Sequence, residues 1–196
     1  MRILNCITDF NHYFSAQTLH PQVAVAELFR ADFSLFDTKV YDMYALIMID
    51  GVFGELIRDG KPLPYTKGSL VTIRPGQSIE MKMDYTTKPQ GWMLAFKPEL
   101  LEKTGLGRDF YMFSYFNSDY SEAIRLTDME YGVIKNCFAN LYAELNTPKD
   151  HLSGQMIRLG IGTLLSYVKR YFEKQHTTSV LRSETLVGKL DTLLDK

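Results

Sequence analysis

Residues 22–96 show an alternation of hydrophobic and polar positions that is typical of β-strands. Five short segments there are rich in β-branched, aromatic and methionine residues, and turn-forming pairs such as Asp59-Gly60 and Pro75-Gly76 separate them. The segments are QVAVAELF, YALIMIDGVFGELI, SLVTIR, SIEMKM and GWMLAF. Successive side chains of a strand point to opposite faces, and no intervening stretch is long enough for a crossover helix. The pattern therefore predicts an antiparallel β-sandwich or barrel.

The second half of the chain has a helical period instead. Thr127 is followed by Glu130, a capping-box pattern, and the helix that it opens ends before Pro148. A second helix is predicted from about residue 153 to residue 175, because apolar residues recur there every three or four positions. Its apolar stripe consists of Ile157, Ile161, Leu164, Val168 and Tyr171. Two apolar stripes joined by a short turn predict an antiparallel helical hairpin.

Both ends of the chain add short helices to this picture. Thr8 and Asp9 are candidate caps of a helix near the N-terminus, and Ser183 is a candidate cap of a helix at the C-terminus. The chain is therefore predicted to be α+β, with a barrel and a short N-terminal helix in residues 1–126, a hairpin in 127–182 and a terminal helix in 183–196. The last helix ends without a Gly or Pro signal, so we expect the chain to be part of a longer protein.

Composition narrows the setting in which the protein works. The chain has 196 residues, 45% of them hydrophobic, which is enough for a sizeable core. A net charge of −1 gives no overall attraction to nucleic acid, so DNA binding by this chain alone is disfavoured. Its two cysteines are far apart, and neither a signal peptide nor a membrane-length apolar run is found. We expect a cytoplasmic protein without a membrane partner.

The strands lack the residues of a metal-binding barrel. Such barrels normally supply two histidines one residue apart on one strand, a nearby carboxylate and a further histidine on a later strand. The four histidines are His12, His20, His151 and His176, and none lies between residues 21 and 150. We therefore predict no metal and no cofactor.

Sequence motifs of catalysis are also missing. The chain has no G-x-S-x-G elbow, no P-loop and no glycine-rich dinucleotide fingerprint. Spacing alone leaves a Ser-His-Asp arrangement open, since such residues meet only in the fold. We predict no catalytic residues.

The inner face of the predicted barrel consists of aliphatic, methionine and aromatic residues. Such a lining either fills itself or leaves a small apolar cavity for a ligand, and methionine suits an adaptable pocket or simply fills a core. Arg74 is placed to meet an anionic ligand at the barrel mouth or to remain solvated, and Trp92 can face inward or outward. A shift of one residue would reverse every assignment to a face. The predicted ligand-binding residues are Tyr44, Met48, Ile79, Met81, Met93 and Arg74.

Three stretches of the chain together resemble a known family. DFNHYFSAQTLHPQVAV, YALIMIDGVFGELIRDGKPLPYTKGSLVTIRPGQSIEM and GWMLAFKPELL resemble the N-terminal sensor region of AraC-type transcriptional regulators, particularly the group common in Bacteroidetes. The resemblance extends through LSGQMIRLGIGTLLSYVKRYFEKQ and so covers essentially the whole chain. It implies a cupin-like, metal-free effector-binding barrel in residues 1–126 and dimerisation helices in residues 127–182. Residues 183–196 would begin a linker helix to a DNA-binding domain with two helix-turn-helix motifs.

The chain departs from that family in two places. The DNA-binding domain has no counterpart in these residues, so DNA contact is expected only through a C-terminal domain that is absent from this chain. After Pro75-Gly76, where many relatives carry histidine, the sequence reads Gln77-Ser78-Ile79. An effector contact made by that histidine elsewhere is not expected here.

The leading hypothesis is a homodimeric sensor that binds a small-molecule effector in its barrel. The stripe from Ile157 to Tyr171 is the predicted dimer interface, although the same stripe could seat the helices on the barrel. Gly160 and Gly162 favour close approach of another helix.

Two other classes of function remain open from the sequence. A metal-free cupin isomerase or epimerase would need an acid–base pair, for which Tyr44 or Tyr65 with a glutamate is a candidate. A structural oligomerisation module would have no pocket at all.

Overall fold

The computed structural model describes residues 2–31, 39–51, 54–83, 87–102, 104–116 and 122–194. Side chains are described within these ranges as far as residue 177, except for those of Arg2, Lys39 and Met83. The described residues contain ten β-strands and four α-helices, so the predicted α+β class is confirmed.

Most strands lie in the first half of the chain, and the two long helices lie in the second half. The strands are β1 (Arg2–Leu4), β2 (Val23–Glu27), β3 (Lys39–Tyr41), β4 (Tyr44–Ile49), β5 (Gly54–Arg58), β6 (Lys61–Pro62), β7 (Ser69–Ile73), β8 (Ser78–Met83), β9 (Gly91–Phe96) and β10 (Ile124–Arg125). The helices are α1 (Ile7–Tyr13), α2 (Gly105–Arg108), α3 (Asp128–Asn146) and α4 (Ser153–Leu194). Two 3-10 turns, Phe110–Met112 and Ser114–Phe116, follow α2.

The strands form two five-stranded sheets. Sheet 1 has the order β1-β3-β8-β5-β6, and sheet 2 has the order β10-β7-β4-β9-β2. Neighbouring strands are antiparallel except β1 and β3, which are parallel. No strand pairing joins the two sheets within the described ranges, so these residues form two sheets and not a closed barrel.

The two hydrophobic cores divide the structure into three layers: sheet 1, sheet 2 and the helices. Between the sheets, one face of β4 with Ala45 and Ile47 packs with Ile79 and Met81 of β8. On the opposite side of sheet 2, Met48 of β4 packs in a second core with α3, α4 and the two 3-10 turns. Sheet 2 is therefore the middle layer, and this explains why its central strand reads YALIMI without a polar face.

The N-terminal helix is present, but its predicted caps are wrong. Helix α1 begins at Ile7, and its N-cap residue Cys6 makes no side-chain capping bond. Thr8 and Asp9 therefore lie inside the helix. The Asp9 carboxylate instead accepts a hydrogen bond from the Asn5 N–H at 3.1 Å.

The capping box of α3 is confirmed. The Glu130 N–H donates to Thr127 Oγ1 at 3.4 Å, and the Thr127 N–H donates to Glu130 Oε2 at 2.9 Å. These bonds satisfy two of the free N–H groups at this helix end.

Helices α3 and α4 run antiparallel. Leu141 of α3 contacts Gly160 of α4, whereas Glu130, eleven residues earlier in α3, pairs at 2.8 Å with Lys174, which lies later in α4. The turn between them ends at Asp150, whose Oδ1 accepts hydrogen bonds from the Leu152 and Ser153 N–H groups.

Helix α4 is longer than predicted. The sequence predicted one helix to about residue 175 and a separate one from Ser183, but a single helix of 42 residues runs from Ser153 to Leu194. Residues 176–182 read HTTSVLR and contain no Gly or Pro that would stop a helix. In the described part of the chain, no helix combines the length and the apolar character needed to span a membrane.

Candidate functional site

The space between the two sheets is almost completely filled. The remaining cavity there has a volume of about 10 Å³, roughly the room that one water molecule needs. Leu4, Tyr41, Met81 and Met93 of the strands line it, together with Leu28, which directly follows β2. A ligand larger than a water molecule requires one of the surrounding elements to move.

Helix α1 and its flanking residues fill the rest of this space. Ile7, Phe10, Tyr13 and Phe14 are all buried in the inter-sheet core, and the Phe10 and Phe14 rings lie 4.8 Å apart. Phe10, Tyr13 and Phe14 also line the 10 Å³ cavity. We call these four residues the α1 plug. The α1 plug occupies the interior space in which the sequence analysis predicted a ligand.

Two phenols lie in this apolar interior. Burial, together with the neighbouring Tyr13, raises the pKa of Tyr41 well above its usual value. Tyr41 therefore stays neutral and can meet a ligand only through hydrogen bonds.

The structure places three of the six predicted ligand-binding residues in this interior. Ile79, Met81 and Met93 are buried between the sheets, and Met81 and Met93 contact the same small cavity. Whether they bind a ligand stays a prediction.

Tyr44 and Met48 lie on the opposite face of sheet 2, so their predicted inward orientation was wrong. Met93 pairs with Ile47 of β4, whereas Met48 pairs with Trp92. Directly opposed residues of antiparallel strands share a face, so Met48 and Met93 cannot both point inward. The register also settles the orientation of Trp92. It faces the helices, where its ring lies edge-on to Tyr142 of α3 at 5.3 Å.

Tyr44 belongs to an aromatic cluster beneath the helical layer. Its ring lies 5.5 Å from Phe96, 4.6 Å from Phe110 and 4.8 Å from Phe116. Burial raises the pKa of Tyr44, although nearby Arg74 opposes this effect. Arg74 itself is exposed, and its backbone N–H donates to Gln77 Oε1 at 3.0 Å. Tyr44 and Arg74 are neighbours, but both lie outside the space between the sheets.

The predicted dimer stripe is buried within the chain itself. Ile157, Ile161, Leu164, Val168 and Tyr171 all belong to the core between sheet 2 and the helices. They are not accessible to a second copy, so the interface was assigned to the wrong face of α4. The stripe seats α4 on α3 and sheet 2, as the alternative reading expected. Dimerisation itself stays a prediction.

Sequence reasoning missed a hydrogen-bonded link between sheet 2 and α4. Thr72 Oγ1 of β7 donates to the Tyr115 carbonyl at 3.0 Å, and the Tyr115 hydroxyl donates to the Leu165 carbonyl at 3.0 Å. Burial raises the pKa of Tyr115 well above its usual value, so the hydroxyl remains a donor. The aromatic stretch FYMFSYF was the available signal, but partners 43 and 50 residues away have no local signature.

Two grooves flank the exposed side of α4. The α2–α4 groove, between Thr104–Leu106 and residues 155–170, has a volume of about 580 Å³. The α3–α4 groove has a volume of about 440 Å³ and includes Cys137 and Met156. Leu159, which is 57% exposed, lies on the ridge between them. The sequence patterns did not predict either groove.

The side chains suggested for an acid–base pair have other contacts. The Tyr65 hydroxyl donates to the Gly54 carbonyl at 2.7 Å, and Tyr44 packs among the aromatic rings. In the ranges that the structure describes, no three His, Cys, Asp or Glu side chains come close enough to form a metal site. Burial raises the pKa of Cys137, which disfavours the reactive thiolate.

No protein-family model matches the chain, and no curated protein sequence is significantly similar to it. A proposal of function therefore depends on the geometry of the described residues and on the resemblance to AraC-type sensor regions.

Proposed function

We propose that this chain is the effector-binding and dimerisation region of an AraC-type transcription regulator, and that it is not an enzyme. The effector is a small molecule that binds between the two sheets of a metal-free, cupin-like β-structure. DNA contact is made by a C-terminal domain outside these 196 residues. The observation that carries the proposal is the α1 plug, which fills an interior otherwise lined by apolar side chains.

Displacement of the α1 plug would create the effector site. Its aromatic rings occupy the space, and each buried aromatic side chain accounts for roughly 150–250 Å² of surface. An effector with an apolar or aromatic body takes their place, and Tyr41 offers it a neutral hydroxyl. Because a ligand shifts an equilibrium only through differential affinity, the effector must bind the displaced arrangement more tightly than the plugged one.

Sheet 2 supports a route from this site to the helices. Ile47 of β4 faces the interior and Met48 faces the helical layer, so a shift of this strand reaches both cores. The Tyr115 link ties β7 to α4, and the Trp92–Tyr142 contact joins β9 to α3. The relay that we propose is a repositioning of α3 and α4 on sheet 2.

We place the proposed dimer contact on the exposed side of the helical layer. Leu152 and Met156 are 46% and 51% exposed, and Met156 lines the α3–α4 groove. Exposed apolar side chains beside a groove suit packing against a second copy of the same surface. We propose this face, in place of the buried stripe, as the site of dimerisation.

Methionine NMR tests the effector site. The chain is labelled with ¹³C at the methionine methyl groups and titrated with small molecules that stabilise it in a thermal-shift screen of sugars and aromatic compounds. The methyl signals of Met81 and Met93 are expected to shift, and a change at Met156 on the helical surface is expected only together with them, as a result of the repositioned helices. Compounds that move Met156 alone would exclude the inter-sheet site. Stabilisation accompanied by turnover would favour the isomerase or epimerase alternative.

Sedimentation tests the dimer face. Met156→Asp is expected to convert a dimer to a monomer, because it places a charge in the contact. Met129→Asp is the matched control, since Met129 is 81% exposed in the first turn of α3 and an acidic residue there is compatible with the helix end. A monomeric wild-type chain, or equal effects of the two substitutions, would remove the proposed interface.

A further inference from the structure

We infer that the α2–α4 groove is a second ligand site, one that takes a small amphipathic anion with an apolar body and one carboxylate or sulfonate group. This inference goes beyond the effector site between the sheets, because it concerns a different surface. It rests on the shape of the groove and on its charge.

The shape of the groove suits a small ligand. Its volume of about 580 Å³ lies within the range of known small-molecule pockets. Leu106 forms the α2 wall and Leu159 the α4 wall, and Gly162 lies between them. A Cβ added at Gly162 would lie 3.4 Å from Leu106 Cδ2, so the absence of a side chain keeps the centre of the groove open.

The charge of the groove is positive. Arg158 and Arg170 both line it, and no carboxylate is among its lining residues. The two arginines are twelve residues apart, which corresponds to about 18 Å along the helix axis. Neither forms an ion pair with a residue in the described ranges. An anion therefore gains a partner at either end of the groove without competing with an internal carboxylate.

The positive charge of Arg158 also affects the pKa of His20. Burial lowers the pKa of His20, and Lys149 and Arg158 lower it further. The neutral form of His20 is therefore favoured. Arg170 Cζ lies 5.5 Å from the centroid of the Tyr167 ring, so the guanidinium packs over a side chain that also lines the groove.

Two of the hydroxyl groups in the groove, those of Thr104 and Ser166, already donate within the chain. Thr104 Oγ1 donates to the Leu101 carbonyl at 2.7 Å, and Ser166 Oγ donates to the Gly162 carbonyl at 2.8 Å. Their protons are therefore not available to a ligand. Gln155, Thr163 and Tyr167 also line the groove and can donate neutral hydrogen bonds, whereas Arg158 and Arg170 are its charged donors and select for a negative group.

Two dyes that differ in charge test this inference. Anilinonaphthalene sulfonate (ANS) is an amphipathic anion, and N-phenylnaphthylamine (NPN) has the same aromatic body without the sulfonate. Fluorescence titration of the full chain is expected to give tighter binding of ANS than of NPN. The double variant Arg158→Gln/Arg170→Gln is expected to weaken ANS binding about tenfold and to leave NPN binding unchanged.

Further variants locate the site. Gly162→Phe fills the groove and is expected to abolish binding of both dyes, whereas Met129→Asp, in the first turn of α3 and outside the groove, changes neither. Circular dichroism checks the fold of each variant, and Leu159→Glu replaces Gly162→Phe if the latter does not fold. The expected effect of Leu159→Glu is loss of ANS binding through charge repulsion and loss of its apolar wall.

Three results would overturn the inference. The first is equal weakening of ANS and NPN by the arginine substitutions, because charge would then not select the ligand. The second is a shift of the Met81 and Met93 methyl signals by ANS, because the dye would then lie between the sheets. The third is a dependence of dye affinity on protein concentration, because a second copy would then occupy the groove. The first and third outcomes leave effector binding between the sheets untouched, whereas the second would count in its favour while overturning the groove site.

Discussion

Alanine substitution of three helical glycines separates helix propensity from packing. Gly132 lies in α3, and Gly160 and Gly162 lie two residues apart in α4. A Cβ at Gly132 would have no neighbour within 4 Å, and one at Gly162 would make an ordinary contact at 3.4 Å. At Gly160, however, the new Cβ would lie 2.7 Å from Leu141 Cδ2 and 3.3 Å from Leu141 Cγ.

The expected free energies follow from these distances. Replacing glycine by alanine inside a helix stabilises by about 0.8–1 kcal/mol when nothing opposes it. We expect that gain for Gly132→Ala and most of it for Gly162→Ala. Leu141 is buried in the core and cannot move freely, so overpacking at Gly160 costs about 1–3 kcal/mol. The net effect of Gly160→Ala is therefore a loss of about 0–2 kcal/mol.

Urea denaturation, monitored by circular dichroism, measures the three differences at a common slope. A change in slope would indicate that the unfolding is not two-state and would require separate analysis of its phases. If Gly160→Ala were as stabilising as Gly162→Ala, the close contact between Leu141 and α4 would be refuted. The antiparallel packing of α3 on α4 would then need revision as well.

Three further substitutions probe single contacts. Tyr115→Phe is expected to lower the free energy of unfolding by about 1–2 kcal/mol, because it removes the hydroxyl that bonds the α4 backbone, while Tyr111→Phe, at a 74% exposed ring, should have no effect in the same urea titration. Thr127→Ala should cost about 1 kcal/mol in thermal unfolding through loss of the cap of α3, and an unchanged midpoint would contradict the capping role. Burial raises the pKa of Glu130, but hydrogen bonds with Lys174 and Thr127 outweigh this and hold it below the ordinary value of 4.5. Its contribution to stability is therefore present above pH 4.5 and lost as the pH falls through the lower, folded-state pKa, so Glu130→Gln should flatten the stability profile in this acid range.

The strands were predictable because alternation and turn residues are local signals. The register of β4 was not, because Ala45 to Ile49 contains no polar side chain that distinguishes one face of the strand from the other. The choice between Met48 and its neighbour Ile47 depends on pairing with β9, more than 40 residues away in sequence. Sequence alternation therefore located the strand without deciding which residues face the interior.

In the helical half, too, the sequence pattern did not decide what each apolar face packs against. The apolar stripe that includes Ile157 and Leu164 was found, but its period is the same whether it covers the chain's own sheet or a second copy. The surface that remains free consists of scattered residues such as Met156 and Arg158, which have no hydrophobic period. The α1 plug was equally hidden, because a short amphipathic helix does not indicate whether its apolar side lies on a surface or fills an interior.

The position of β4 between two cores limits how its sequence can vary. Ala45, Leu46, Ile47, Met48 and Ile49 have no exposed surface, whereas in β8 the exposed Lys82 follows the buried Met81. Saturation mutagenesis of β8 should therefore give a two-residue period of tolerance. In β4 the tolerated substitutions should be selected by volume at each successive position, with no site where a charged residue is accepted.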